Sequence, residues 1–219
     1  MKKDGFLFNL LLIFCGGFFD GYSFLLRDKV FANTQTGNVV KLVIYLVEGV
    51  DPLPVLFPII AFVVGVAVAR ILERKSTKKD VIAMSVELAL VIGVAFVPRS
   101  YQTNMIANCM LSIVCAFQFQ VFHTLKGRFF ATIMCSNNLR KVVENTVDGV
   151  IDKSKENVRF AGEVSLLVLA FAFGVGVSAF TYKPLGTYSA LITTAPLLAC
   201  LIGIIVAESK NKSGERLLN

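Results

Sequence analysis

The sequence predicts an all-α, polytopic membrane fold. Six transmembrane helices form two inverted three-helix repeats, each with an interrupted, re-entrant hairpin, and both termini are cytoplasmic. Three observations lead there. The 219 residues are 55% hydrophobic with a mean hydropathy of +0.70, and only 17% are charged, against about a quarter in ordinary globular domains. The charges avoid the apolar stretches: of 22 Lys and Arg and 15 Asp and Glu, only Asp20, Arg70, Glu87 and Glu163 fall inside long apolar runs. The basic residues also crowd to one side once six spans are drawn. A net charge of +7 does not imply a nucleic-acid partner, because a chain this apolar is neither disordered nor a polyanion coat. The expected partner is the lipid bilayer.

The first repeat covers residues 1–98. Its first span is 5–26. Lys2 and Lys3 followed by FLFNLLLIFC could read as a secretory signal, or as a lipoprotein signal ending at Cys15. Phe14 is too large for the position before a lipoprotein Cys, and the apolar run continues to Leu26, so the span is read as retained. Residues 27–52 begin polar and contain Lys41, and they are read as a hairpin. Spans 53–72 and 81–98 complete the repeat. The second repeat, 99–219, has spans 105–125, 162–182 and 187–207, with a hairpin and an amphipathic helix in 126–161. In that helix Val142, Val143, Thr146, Val147, Val150 and Ile151 share one face, and Glu144, Asp148 and Asp152 share another.

Charge decides between six spans and eight. With six, 16 basic residues lie on one side: Lys2, Lys3, four in 73–80, seven in 126–161 and three in 208–219. The other side has five: Arg27, Lys29, Lys41, Arg99 and Lys183. Eight spans give 9 against 9, which removes the asymmetry that orients membrane proteins. The two ambiguous stretches therefore dip in from opposite sides. Such a dip survives at membrane depth only where protein or a water-filled cavity surrounds it; the alternative is a loop lying flat at the interface.

An internal repeat supports this. At a shift of 99, Leu26 meets Leu125, Phe31 meets Phe130, Ala32 meets Ala131, Asn38 meets Asn137 and Lys41 meets Arg140. At a shift of 109, Ala61, Gly65 and Ala69 meet Ala170, Gly174 and Ser178. These small residues recur at every fourth position, which lets helix backbones approach closely. Three spans per half is an odd number, so the halves are inverted. Inverted repeats with broken helices bind solutes near the midplane.

The candidate site follows from that symmetry. Thr36 and Ser136 are read as N-caps of helices beginning near Gly37 and Asn137. A helix from Gly37 to Val50 would be roughly 21 Å long, with its positive N-terminus at depth. The expected binding residues are Asp20, Asn33, Gln35, Thr36, Gly37, Asn38, Lys41, Gln118, Gln120, Asn137, Asn138 and Arg140. The bland alternative is that the amides and hydroxyls only satisfy backbone groups at a helix break. Asp20, deep in the first span, is either a proton-coupling group or a counter-ion of Lys41 or Arg140. Arg70 and Glu87 reach similar depth on neighbouring spans and are expected to form a structural ion pair. His123 and Glu163 lie near cytoplasmic span ends.

No metal site is expected, since Cys15, Cys109, Cys115, Cys135 and Cys200 have no CxxC spacing and His123 is the one histidine. No cofactor is expected. No catalytic constellation or phosphate-binding loop is visible, so the chain is read as no enzyme. The stretch FFDGYSFLLRDKVFANTQTGNVVKL (18–42) resembles the signature of the YoaK family of small bacterial membrane proteins, a domain of unknown function. A second family block is matched at Gln118, Gln120, Phe122, Phe130, Ala131, Thr132, Met134, Cys135, Asn137 and Arg140. Two departures stand out: Gly21 replaces an Ala, and Ser136-Asn137-Asn138 replaces a second TGN. The resemblance implies a multi-pass protein of the bacterial cytoplasmic membrane and implies no activity. The residues themselves point to a small transporter or channel for a small polar solute, anionic by preference, held between the two hairpins. The alternatives are a non-transport scaffold, lipid-handling factor or partner subunit, and a half-size carrier that works as a homodimer.

Overall fold

The computed structural model describes residues 3–130 and 135–216, and within them the fold is helical apart from one minimal hairpin. Lys2, Ala131, Thr132 and Met134, used in the sequence reading, lie outside the described residues. In chain order the elements are α1 (Phe6–Leu26), α2 (Gln35–Glu48), α3 (Leu53–Lys75), α4 (Lys79–Phe96) and α5 (Tyr101–Val121). Then come β1 (Thr124–Leu125), β2 (Arg128–Phe129), α6 (Cys135–Ile151) and α7 (Lys155–Leu185). A 3-10 helix (Gly186–Thr193) and α8 (Thr194–Arg216) complete the chain.

Local chemistry sets several of these boundaries. Gly49, with φ at 69°, takes the left-handed conformation that closes α2. Ser100 and Thr103 form a reciprocal capping box at the start of α5. Lys126 and Gly127 both have positive φ, as the tight turn between β1 and β2 requires.

Among the described residues, four stretches are long and apolar enough to cross a membrane: Phe6–Leu26, Leu53–Lys75, Tyr101–Val121 and a continuous helical run, Lys155–Ser209. The last has 55 residues. At 1.5 Å per residue it would be roughly 80 Å long if straight, well over twice a ~30 Å hydrocarbon core. Instead it reverses at Gly186, whose φ is 55°. On the return leg the Tyr22 hydroxyl donates to the Thr187 carbonyl at 3.2 Å, and Cys15 and Cys200 approach the carbonyls of Thr193 and Phe8. That order runs antiparallel to α1. α4 has 18 residues and carries Lys79, Asp80 and Glu87, which sets it apart from the four.

Two helices begin before their expected starts. α6 begins at Cys135, two residues before the start expected near Asn137. α7 begins at Lys155 rather than 162, because Ser154 accepts a hydrogen bond from the Asn157 N–H and caps it there.

Polar contacts gather at two ends of the bundle. At one end Lys3 pairs with Asp80 at 2.6 Å, the Lys126 N–H donates to the Asp4 carbonyl, and Asn9 donates to the Thr124 carbonyl. Lys79 pairs with Glu73, and Arg128 with Glu156, at the same end. At the other end Arg27 reaches the Pro98 carbonyl, Asn104 donates to Asp28, and the Tyr101 hydroxyl donates to Asp51. That hydroxyl and the Leu53 N–H hold the Asp51 carboxyl below the usual carboxylate range.

The helices pack as two tight parallel pairs. α1 lies along α7, where a Cβ on Gly17 would come within 2.1 Å of the Phe171 carbonyl oxygen. A Cβ on Gly174 would come within 2.1 Å of the Phe14 carbonyl oxygen. α3 lies along α5, where a Cβ on Gly65 would sit 2.7 Å from the Ala116 Cβ and 3.3 Å from the Ile113 Cα. These are backbone-to-backbone contacts of the small-residue kind. The main core then fills with Phe8, Phe18, Phe19, Tyr22, Met84, Leu111 and Leu197, all fully buried.

Gly174→Ala is expected to cost at least about 1–3 kcal/mol of stability, the usual penalty of overpacking, because backbone rather than a side-chain tip must move. Gly176→Ala, with nothing within 4 Å of its would-be Cβ, is expected to change stability by less than about 0.5 kcal/mol. Thermal unfolding of the purified variants in detergent checks both.

Candidate functional site

The site is built where α1 gives way to α2. Residues 27–34 form an irregular connection at the edge of the bundle, and each polar side chain near it has work to do. Asp20 is buried; one carboxylate oxygen accepts from the Asn33 N–H at 2.7 Å and the other from the Thr34 hydroxyl at 2.7 Å. The Asn33 amide donates to the Gly16 carbonyl at 2.8 Å. Asn38, the buried residue of α2, brackets Phe31. Its oxygen accepts from the Phe31 N–H at 2.9 Å, and its nitrogen donates to the Phe31 carbonyl at 2.7 Å. Gln35 donates to the Ala32 carbonyl at 3.0 Å. An irregular backbone away from water needs this satisfaction.

α2 starts at Gln35, two residues before the expected start, and Thr34 holds the N-cap position. The Thr34 hydroxyl is committed to Asp20, so it does not cap the helix itself. Thr36, expected as the N-cap, lies in the first turn, exposed. Ser136 likewise lies inside α6, which is already helical at Cys135.

The tips of α2 and α6 line one cavity of about 450 Å³. From the first tip come Asn33, Thr34, Gln35, Thr36 and Gly37; from the second come Cys135, Ser136 and Asn137. Phe62 of α3 and Phe119 of α5 complete the wall, their ring centroids 6.2 Å apart in a tilted pair. No charged side chain is among these residues. The electrostatics come from two helix N-termini, each worth about half a positive charge.

Of the expected site residues, then, Asn33, Gln35, Thr36, Gly37 and Asn137 line this cavity. Asp20 and Asn38 stand behind it as supports. Asn138 is buried at the corresponding turn of α6. Four others lie elsewhere. Lys41 donates to the Lys29 carbonyl and stacks over Phe24 and Phe31. Arg140 pairs with Glu144 one turn on, at 2.7 Å. Gln118 donates to Glu87 at 3.0 Å, and Gln120 to Glu73 at 2.6 Å. Neither Lys41 nor Arg140 is the counter-ion of Asp20.

The expected Arg70–Glu87 ion pair does not form. Arg70 is 63% exposed and reaches Glu73 at 3.1 Å, one turn along its own helix. Equal depth put the two residues level, but they point to different sides of α3 and α4. Glu87 is fully buried and takes its hydrogen bond from Gln118.

Sequence reading missed Phe62 and Phe119, which look like any other apolar residues in an apolar helix. It also counted Arg27 as a loop charge. Arg27 is the largest fully buried side chain. Its guanidinium donates to the carbonyls of Val94, Val97 and Pro98, to Asn104 Oδ1 and to the Tyr22 hydroxyl, at 2.9–3.2 Å. A cation at the carbonyl end of α4 is favourable and satisfies acceptors the helix cannot satisfy itself.

Stability in detergent separates these roles. Glu87→Gln keeps an acceptor for Gln118 and needs no cation, so a change within about 1 kcal/mol is expected. Arg70→Gln breaks an exposed pair and is also expected to stay within about 1 kcal/mol. Arg27→Met strips several buried carbonyls of their donor, and a loss above about 3 kcal/mol is expected.

No curated protein and no solved structure matches the chain. A family model described as a protein of unknown function, DUF1275, matches residues 8–204, consistent with the resemblance drawn from the sequence, and the chain belongs to that family.

Proposed function

We propose that the protein is a small membrane transporter or channel whose solute binds in the cavity between the α2 and α6 tips. The observation that carries this reading is the convergence of two helix N-termini, with their amides and hydroxyls, on one cavity walled by Phe62 and Phe119. Among the described residues the lining offers amides, hydroxyls and helix N–H groups but no side-chain cation. It suits a small neutral polar solute ahead of an anion, because the buried Asp20 carboxyl lies directly behind the α2 tip. Six crossings are proposed, by α1, α3, α4, α5, α7 and the last leg, with both termini on the cytoplasmic side of a bacterial membrane. The grouping of polar contacts at two ends supports it: the basic segments 73–80 and 126–161 share an end with Lys3.

The pairing of helices supports two inverted halves. Gly65 against Ile113 in one pair corresponds, by shifts of 109 and 99, to Gly174 against Phe14 in the other. Each half's second span thus packs on the first span of the other half. The tips correspond at a shift of 100: Thr36 and Ser136 are exposed, Gly37 and Asn137 intermediate, Asn38 and Asn138 buried.

A thermal-shift screen of purified protein against small neutral metabolites and monoanions tests the site. A ligand at about a hundred times its Kd stabilises by about 2.7 kcal/mol, and this shift is expected to vanish in Thr36→Leu and Ser136→Leu while their unliganded stability is kept. Solute flux into proteoliposomes should fall in the same variants. No stabilising ligand, with flux absent, would turn the reading toward a scaffold or partner subunit. Topology has its own check: in a cysteine-free background in intact cells, Thr77→Cys and Asn157→Cys should resist an impermeant maleimide, and Asp51→Cys should react.

A further inference from the structure

Asp20 is a carboxyl group with no Lys or Arg partner, buried in α1 yet connected to the cavity through one hydroxyl. Both its oxygens accept: one from the Asn33 N–H, the other from the Thr34 hydroxyl, and both of those residues line the cavity. Among the described residues, the elements around it hold no cation for it. α7 presents Phe171, Val175 and Ser178 to this stretch of α1. The last leg presents the carbonyls of Thr187 and Thr193, and Cys200 further along. On α5 the titratable neighbour is Cys115. The negative charge that complements the carboxylate's surroundings therefore has its positive counterpart in the N-terminus of α2 and the N–H groups leading into it.

We propose that Asp20 is a proton-binding site of the cavity, loaded through the Thr34 hydroxyl, and that its ionised form is what holds the α2 tip against α1. The step balances. A hydronium ion entering the cavity gives one proton to Thr34 Oγ1 and leaves as water, while the hydroxyl's own proton passes to Asp20 Oδ2. Thr34 ends neutral, with its new O–H turned to the cavity, and Asp20 ends neutral, donating to Thr34 Oγ1. The Asn33 N–H then faces an uncharged carbonyl oxygen, a weaker acceptor than a carboxylate, and the α2 N-terminus loses its nearby negative charge. Both changes loosen the 32–36 segment, which forms one wall of the cavity. The inference needs no identified solute, so it stands or falls separately from the transport reading.

The chain contains no Trp, so Phe119→Trp places a single reporter in the cavity wall. In nanodiscs its fluorescence is expected to pass through one single-proton transition as the pH is varied. Asp20→Asn in that background is expected to abolish the transition, and Glu87→Gln to leave it in place. Thr34→Val should keep the transition but slow its approach after a pH jump by about tenfold or more, as loss of a proton relay does. If Asp20→Asn does not fold, the Thr34→Val kinetics and the Glu87→Gln titration still decide. No transition in the reporter protein, a transition unchanged in Asp20→Asn, one lost in Glu87→Gln, or an unslowed Thr34→Val would each overturn the proposal.

Discussion

Everything distinctive in this structure follows from one constraint: a chain that leaves its helix inside an apolar bundle must still satisfy every backbone N–H and C=O. Between α1 and α2 the ladder of helical bonds stops. The substitutes are Asp20 for the N–H of Asn33, Asn33 for the Gly16 carbonyl, Asn38 for both groups of Phe31, and Gln35 for Ala32. Arg27 does the same for the end of α4. Asp20, Arg27, Asn33 and Asn38 are all buried. Their rigidity also positions the cavity, because the side chains that hold the break are within a residue or two of those that line it.

The second organising feature is close backbone packing. Without water to drive apolar surfaces together, membrane helices associate through fit, and small residues give the best fit. Gly17, Gly65 and Gly174 let α1 meet α7 and α3 meet α5 with almost nothing between them. The two pairs leave α2 and α6 on the outside, where Val43, Ile44, Val47, Val143 and Val147 are exposed. Such apolar exposure would be a liability in water and suits contact with acyl chains.

How much could be read from sequence depended on the kind of signal each residue carries. Asn33, Gln35, Thr36 and Asn137 stand out in the sequence as polar groups beside apolar runs, with Gly37 at the turn between them, and all five line the cavity. Helix start points were less legible. Thr36 looked like a cap, but which hydroxyl caps depends on where the others are already bound, and Thr34 is bound to Asp20. Arg70 and Glu87 were matched by depth alone. Depth is one coordinate; rotation about each helix is another, and only three-dimensional packing sets it. Phe62 and Phe119 had no signal at all, since their significance lies in facing each other. Lys41 and Arg140 looked poised for an anion until their neighbours, the Lys29 carbonyl and Glu144, were seen.

The pairing of α1 with α7 has a consequence in time. A ribosome adds about 5–20 residues per second, so Gly174 is made roughly 8–30 s after Gly17. Over that interval the groove on α1 that will receive the α7 backbone is open to lipid, while the Asp20 clamp, all of whose partners lie within the first 34 residues, can already close. Local polar order is therefore available at birth, and the long-range seam closes near the end of synthesis. The Asp20 clamp is thus local, whereas Arg27 must wait for the carbonyls of Val94, Val97 and Pro98 at the end of α4.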